Sequence, residues 1–329
     1  MENTFKPLRR ALGKAILGAA ALAAAGGAFA QQGELTRIIV AFPPGGPVDF
    51  IARTLSQQLA KELGHSVIVE SKPGANGAIA ADSVIRAQPN GKTLWLTSVG
   101  AVAINPALYP KLSYKPATDL APVSLVTNNV EMLVVNAQAS YKNAEDFIQA
   151  ARQRKDTPMT MASSGTGSVP HLAAMLLNES AGLNLMHIPY KGAAPAITDL
   201  MAGHVDGFFG DIPGLVSAID GGKLRPVGIA APKRNARYPD VPTFEELGYK
   251  GVDSNNWYGV FAPKGTPPEV SAKLSKAIHN ALYAPETKNK IEASGAEVVG
   301  STPEALARQL AADIAKWSAI IRRNHITPD

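Results

Sequence analysis

Hydrophobic positions in the first third of the chain switch between two periods. Short β-branched runs predict buried strands at 37–42, 66–71 and 92–98. Between the first two runs, residues 48–63 carry apolar side chains at helical spacing, and residues 74–88 supply a loop and a second helix before the third run. This alternation of strands and helices is typical of parallel α/β layers.

The same order of elements returns further along the chain. Residue identity between the two copies is low, so the repeat is one of architecture. Two βαβαβ halves predict two sheets, each with a ligand-facing edge where strands end and helices begin. The second copy reads as strand, loop, helix, strand, helix and strand at 159–163, 164–168, 169–181, 184–190, 194–203 and 204–211.

Two apolar segments connect these halves. Residues 120–136 lead from the first half into the second, and residues 253–265 read as the return crossing. We therefore expect an α/β fold of two lobes that share a hinge and enclose a cleft, with a single continuous domain as the alternative. Amphipathic helices at 267–284 and 302–323 and a short strand at 296–300 complete the chain. The predicted lobes are residues 31–128 with 258–329, and residues 129–257.

The first thirty residues do not fit this core. A basic segment precedes an apolar run at 15–30 that ends in Ala28-Phe29-Ala30. This order predicts a signal peptide over residues 1–30, cleaved before Gln31, and export to the periplasm. A membrane anchor is the alternative, but the run is short and rich in glycine and alanine. Arg9-Arg10 also fits twin-arginine export, so the sequence leaves the export route open.

Composition narrows the choice of function. Hydrophobic residues make up 46% of the 329 and charged residues 18%, which is typical of a globular protein. Because the chain contains no cysteine, disulfides and thiolate metal sites are excluded. The predicted signal peptide carries four cations and Glu2, so its removal lowers the formal net charge from +5 to +2. No basic cluster with interleaved aromatic residues remains, and we expect no nucleic-acid partner.

The motifs that would indicate catalysis or cofactor binding are incomplete in this sequence. Gly91-Lys92-Thr93 ends like a phosphate-binding loop, but Arg86 stands where the first glycine is required. Gly165-x-Gly167 lacks a third glycine, because Pro170 occupies that position. The six histidines are scattered without metal-ligand spacing. We therefore expect no cofactor, no metal and no catalytic residue.

Two glycine-containing loops remain, at 43–49 and 163–171, and each leads from the first strand of its half into a helix. Unpaired N–H groups and the positive end of the helix dipole make such a terminus an anion site without a cationic side chain. Two such loops facing each other across a cleft suit a small carboxylate. The second loop adds hydroxyl groups from Ser163, Ser164, Thr166 and Ser168.

Ordinary helix capping is the alternative for each loop. Asp49 fits as a cap for the helix that begins near Val48, and Ser168 as a cap for the helix at Pro170. His171 either donates to a bound anion or packs beneath the loop. The equivalent placement of the loops in both halves favours binding.

Several segments together resemble the Bug-type receptors, which are periplasmic solute-binding proteins of tripartite tricarboxylate transporters. The resemblance runs from Arg37 to the C-terminus. It implies a type II periplasmic-binding-protein fold, two α/β lobes that close on ligand about a hinge. The segments that carry it are VAFPPGGPVDFIAR, VIVESKPGANGAIAAD, INPALYPKLSYKPATDLAPVSLV, HIPYKGAAPAITDLMAGHVDGFF and GGKLRPVGIAAPKR.

The resemblance also implies ligands and partners. Family ligands are small carboxylates, namely dicarboxylates, tricarboxylates, acidic amino acids and aromatic acids. The protein is expected to be a monomer that hands its ligand to inner-membrane transporter subunits. Two other functions stay open: a ligand-sensing subunit for a membrane sensor kinase, and a serine hydrolase that uses Ser163, Ser164 or Ser168 with His171 as base.

The expected ligand-binding residues combine both loops with the ends of neighbouring strands. Tyr190 either stacks on a ligand or braces its lobe, and Asp211 either repels a carboxylate or binds an amine or hydroxyl. Met175 and Ile212 stand where family members often carry an acidic residue and an asparagine. The full set is Phe42, Pro44, Gly45, Gly46, Pro47, Val48, Asp49, Ser98, Gly100, Ala101, Ser163, Ser164, Gly165, Thr166, Gly167, Ser168, His171, Tyr190 and Asp211.

Overall fold

The computed structural model describes residues 34–74 and 77–328. Within the described residues, one compact unit begins at Thr36 and includes both sheets. The predicted signal peptide lies outside the described residues. Within the described ranges, no helix has the length and apolar character needed to cross a membrane.

Sheet 1 contains six strands in the order β11-β4-β10-β3-β1-β2. β1 and β3 are parallel, whereas β10 runs antiparallel to both β3 and β4, and β11 runs antiparallel to β4. The first and last parts of the chain therefore build one sheet together. Its strands are β1 (Leu35–Val40), β2 (Ser66–Ser71), β3 (Thr93–Ser98), β4 (Leu120–Asn128), β10 (Tyr258–Pro263) and β11 (Glu297–Val298).

Helices cover both faces of sheet 1, which explains why its strands read as continuous apolar runs. One face packs against α1 and α9, and the other against α2, α3 and α11. A π-helical turn at Gly100–Ile104 joins β3 to α3. The helices are α1 (Pro47–Leu63), α2 (Ala78–Ile85), α3 (Asn105–Leu108), α4 (Pro116–Asp119), α9 (Pro268–Tyr283), α10 (Pro285–Ala293) and α11 (Pro303–Arg323).

Sheet 2 contains five strands in the order β7-β6-β8-β5-β9. β6 is parallel to β7 and β8, while β5 runs antiparallel to β8 and β9. The core on one face includes α5 and α6, and the core on the other includes α7 and α8. Its elements are β5 (Glu131–Asn136), α5 (Ala144–Gln153), β6 (Thr160–Ser163), α6 (Val169–Ala181), β7 (Met186–Pro189), α7 (Ala193–Ala202), β8 (Gly207–Asp211), α8 (Ile212–Asp220) and β9 (Leu224–Ala230).

The predicted two-sheet α/β architecture agrees with this arrangement, and the differences lie in local elements. The single extended run expected at 120–136 is two strands, since the chain leaves sheet 1 after β4 and enters sheet 2 at β5. The sequence analysis assigned no element to α5, α8, β9 or α10. α8 and α10 span only nine residues each, and β9 contains Pro226 and Gly228, so the strand depends on its pairing with β5. α5 does carry an amphipathic pattern, with Ala144, Phe147 and Ile148 buried, and was missed.

A continuous antiparallel pair crosses from one sheet to the other. Tyr258 lies opposite Thr127 at the end of β4, and Asn255 lies opposite Val130 just before β5. Between these two residue pairs the strands are also hydrogen-bonded, because Asn256 N–H donates to Asn129 O at 2.8 Å. Both crossings of the chain therefore run side by side at the hinge.

Candidate functional site

Both candidate loops lie at the carboxyl edge of a sheet. The first follows β1 and opens onto α1, and the second follows β6 and opens onto α6. Because β1 pairs in parallel with β3, and β6 with β8, the ends of β3 and β8 lie at the same edges. Ser98 and Asp211, the last residues of those strands, are thereby placed beside the helix N-termini.

In the first loop, Asp49 holds the backbone in place. Gly45 adopts φ +86°, and its N–H donates to Asp49 Oδ2 at 3.0 Å. Arg53 Nε donates to the same oxygen at 2.9 Å. Burial raises the pKa of the Asp49 carboxyl, but the bonds from Arg53 and Gly45 outweigh it and leave the pKa below its usual value. Asp49 is therefore a brace for the loop.

The expectation that Asp49 caps α1 is wrong. The helix begins at Pro47 with Gly46 as N-cap, and no side chain caps it. Since Asp49 lies inside the first turn and reaches back to Gly45, its carboxylate does not serve as the N-cap. The N-terminus of α1 thus combines a positive dipole end with backbone donors that no capping side chain covers.

The position that a side chain would occupy at Gly46 is open. Gly46 has φ −79°, and a Cβ there would meet nothing closer than Pro43 O at 3.6 Å. Pro44 and Gly45 are exposed, while Phe42 is half-buried against both cores of sheet 1, and Val48 is buried. The tip of the loop therefore stays accessible while both of its ends are anchored.

The second loop satisfies more of its own donors. Gly165 N–H donates to Ser163 Oγ at 3.1 Å, and Gly167 N–H donates to His171 Nδ1 at 3.0 Å. Ser168 caps α6 by accepting from His171 N–H at 3.4 Å, so the capping interpretation is confirmed for this loop. Ser164, Gly165, Thr166 and Ser168 are half-buried, whereas Ser163 and Gly167 are buried.

His171 packs beneath the second loop. An N–H group only donates, so the bond from Gly167 fixes His171 Nδ1 as an acceptor and leaves the ring proton on Nε2. The ring stacks on that of His187, with centroids 3.6 Å apart. His187 Nε2 lies 2.6 Å from Oγ of the fully buried Ser163, which also bonds Gly165 O. The sequence analysis did not assign His187 to the site, because it depends on the pairing of β6 with β7.

Each loop also touches the opposite half of the fold. A Cβ on Gly167 would lie 2.1 Å from Leu108 Cδ2 of α3, so the second loop abuts an element beside sheet 1. A Cβ on Gly214 of α8 would lie 3.5 Å from Pro47 Cγ, so the first loop approaches an element of sheet 2. Both loops therefore lie where the two halves meet.

Ser98, the last residue of β3, lies on the face of sheet 1 that packs against α1. It is buried and lies opposite Tyr258 in the β3–β10 pair. Ala101 begins to pack into the core, and its carbonyl accepts from Tyr114 Oη at 2.6 Å. Gly100 starts the π-helical turn that leads to α3.

Tyr190 braces its own lobe. Its hydroxyl donates to Asp199 Oδ2 of α7 at 2.7 Å, and its backbone N–H donates to Ser163 O at 3.0 Å. Burial and the Asp199 carboxylate raise the pKa of Tyr190 to about 12. Of the other two noted positions, Met175 packs against the core and Ile212 is fully buried.

Asp211 belongs to a cluster that joins the two sheets. Its Oδ2 accepts a short hydrogen bond from the Tyr258 hydroxyl of sheet 1. In sheet 2 it lies opposite Glu131, which is completely buried. Burial raises the pKa of Glu131 well above its usual value, and the Asp211 charge adds to this. The sequence analysis missed Glu131, because only the strand register brings it beside Asp211.

Comparisons with known proteins agree with this geometry. Residues 51–326 match the family described as the tripartite tricarboxylate transporter family receptor. The periplasmic binding protein BugD is 33% identical with a TM-score of 0.80, over 90% of this chain and 99% of BugD. MatC from Rhodopseudomonas palustris, solved with malate, is 34% identical with a TM-score of 0.78, over 87% and 99%. Rpa4515 from R. palustris, solved with adipate, is 30% identical with a TM-score of 0.83, over 90% and 98%. The resemblance to Bug-type receptors and the two-lobed periplasmic-binding-protein fold are thereby confirmed.

Proposed function

The chain belongs to the receptor family of the tripartite tricarboxylate transporters, and on this premise we propose that it captures a small organic carboxylate between its lobes and delivers it to such a transporter. As a solute-binding receptor it acts by holding its ligand. The proposed lobes are residues 31–128 with 258–329, and residues 129–257. After loss of the signal peptide, the protein works in the periplasm.

One observation carries this proposal: each lobe brings a glycine-containing loop and a helix N-terminus to the boundary between the lobes. An anion between them meets backbone donors and the positive ends of α1 and α6 without needing a cationic side chain. Malate in MatC and adipate in Rpa4515 support a carboxylate as ligand. The proposed ligand-contacting groups are the Gly46 end of the first loop, Ser164 and Thr166 of the second, and Ser98.

A thermal-shift screen against organic acids tests the proposal. A ligand at one hundred times its dissociation constant stabilises the folded state by about 2.7 kcal/mol, which gives a clear rise in Tm. Malate and adipate are the first probes, followed by tricarboxylates, acidic amino acids and aromatic acids. If no organic acid raises Tm, while an uncharged solute does, the carboxylate assignment is wrong.

A further inference from the structure

Six residues of the crossing strands form what we call the hinge face. In the antiparallel pair, Asn129 lies opposite Asn256 and Glu131 opposite Ser254, as the flanking bridge and backbone bonds require. Side chains two residues apart share one face of a strand. The hinge face therefore consists of Thr127, Asn129, Glu131, Ser254, Asn256 and Tyr258, of which all but the half-buried Asn256 are buried.

Several side-chain oxygens on the hinge face receive no hydrogen bond from the described residues. Asn129 commits its amide group to Thr127 Oγ1 and Asn256 O, and Asn256 Nδ2 donates to Glu131 Oε1 at 3.4 Å. Four buried oxygens lack a hydrogen-bond partner among the described residues, and a buried acceptor without a donor is costly. These atoms are Asn129 Oδ1, Glu131 Oε2, Ser254 Oγ and Asn256 Oδ1.

A proton on Glu131 Oε2 supplies a missing donor. Oε1 already accepts from Asn256, so Oε2 is the oxygen left to carry the proton. If Glu131 were ionised, its Oε2 could only accept hydrogen bonds, on a face where other oxygens already lack donors. Its negative charge would also lie beside the carboxylate of Asp211. Among the described residues, no Lys, Arg or His forms an ion pair with Glu131 or Asp211. Two carboxyl groups side by side without a cation favour sharing one proton.

This carboxyl pair lies next to the proposed ligand site. Glu131 and Asp211 share the face of sheet 2 on which α6 packs, at the edge where α6 begins. A Cβ built on Gly214 would lie 3.1 Å from Asp211 Oδ1 and 3.5 Å from Pro47 Cγ of the first loop, so Asp211 and the first loop both lie close to Gly214. A carboxylate held between the loops therefore feels the charge of the pair.

Other titratable groups around the pair are already engaged. Tyr258 of β10 donates to Asp211, and His171 of α6 accepts from Gly167. On α1, Arg53 is paired with Asp49, which also accepts from Gly45. At the crossing, Lys316 bonds Asp253. None of these groups is placed to neutralise the pair by forming an ion pair with it.

We propose that Glu131 and Asp211 form a proton-binding site coupled to ligand capture, so that at pH values where the free pair is ionised a proton enters from solvent when a carboxylate binds. This rests on the proposed function. Protonation removes a like charge from the floor of the cleft, so the protonated protein binds the anion more tightly. Below the pH at which the pair ionises, affinity is constant. Above it, the dissociation constant rises by up to tenfold per pH unit.

Infrared spectroscopy tests the proton site without any ligand. At neutral pH the wild-type protein shows the carbonyl stretch of a protonated carboxylic acid, and Glu131→Gln lacks it. Glu145→Gln, which alters an exposed glutamate of α5, retains the band as a matched control. If the wild type shows no such band, or Glu131→Gln keeps it, the proton site is refuted. Should Glu131→Gln fail to fold, Asp211→Asn shows the same role by shifting the band.

Calorimetry with malate tests the coupling. In two buffers of different ionisation enthalpy, the wild type shows net proton uptake on binding within the pH range in which the infrared band disappears, and Glu131→Gln shows none. If the wild type gives equal heats in both buffers throughout the pH range in which the infrared band disappears, the coupling is refuted. If malate does not bind, adipate and the acids found by thermal shift replace it. A protein that binds no acid fails the proposed function and with it the coupling, whereas the infrared band still decides the proton site.

Discussion

Gly45, Gly46 and Gly167 meet different backbone requirements in the two loops. Gly45 and Gly167 have φ of +86° and +73°, a region that side chains disfavour. Gly167 is also closed to a side chain by Leu108. Gly46 has an ordinary extended backbone and open space, so the fold alone does not require glycine there. Under the proposed function, the absence of a side chain at Gly46 leaves room for a ligand at the N-terminus of α1.

Replacing Gly46 separates binding from folding. Gly46→Val keeps an allowed backbone, and its Cβ meets only Pro43 O at an ordinary contact distance of 3.6 Å, so we expect its Tm to stay within a few degrees of the wild type. The side chain covers the N-terminus of α1, and we expect loss of carboxylate binding in calorimetry. Lys115→Val places valine at another extended N-cap, outside both loops, and should bind normally. Normal binding by Gly46→Val would remove the first loop from the site.

At the scale of single elements, the two helix N-termini differ in capping. α1 has no side-chain cap, whereas Ser168 caps α6. A bound anion can therefore take the place of a capping side chain at α1, while the N-terminus of α6 is already capped by Ser168 before ligand binds. Thr302 caps α11 in the same manner, by accepting from Ala305 N–H at 3.3 Å, but far from either loop along the chain.

These two caps form a matched pair of variants. Ser168→Ala and Thr302→Ala should each lower the free energy of unfolding by about 1 kcal/mol, because each leaves an N–H group of the first turn without its side-chain partner. Only Ser168→Ala should also weaken carboxylate binding, since the second loop lies at the ligand. Denaturant titration and calorimetry measure both effects. Equal affinities for the two variants would assign Ser168 a purely structural role.

Local pattern predicted the long amphipathic elements and both loops, because their signals lie within a few residues of each other. α1 and α6 were predicted this way, whereas the ligand-binding role of the glycines in their loops stays a prediction. Contacts set by strand register were not accessible to such patterns. Glu131 beside Asp211 and His187 beside Ser163 each depend on which strands pair and in which alignment. The capping alternative for Asp49 is wrong, because sequence shows proximity to a helix start and not the direction of a side chain.

At the scale of the whole molecule, Glu131 makes stability depend on pH. Its pKa is raised in the folded protein, so the folded state holds a proton that the unfolded chain releases near its ordinary pKa of about 4.3. The contribution of Glu131 to the free energy of unfolding is therefore greatest below that value and falls as pH rises toward the folded pKa, by up to about 1.4 kcal/mol per pH unit. Glu131→Gln lacks this contribution and should show a flatter profile by denaturant titration across the same range. Parallel profiles for Glu131→Gln and wild type would contradict a raised pKa, and Glu145→Gln should run parallel to wild type.

Closure of the lobes is the largest motion that the proposed function requires. The antiparallel pair 127–131 with 254–258 joins the sheets, so the lobes can rotate about a short, hydrogen-bonded hinge. A ligand that contacts both loops stabilises the closed form, because only that form offers it both helix N-termini. Small-angle scattering should therefore give a smaller radius of gyration with a saturating acid than without it. Gly46→Val, which cannot hold ligand at α1, should show no decrease at the same concentration. An unchanged radius for wild type with a tightly bound acid would mean that capture occurs without lobe closure.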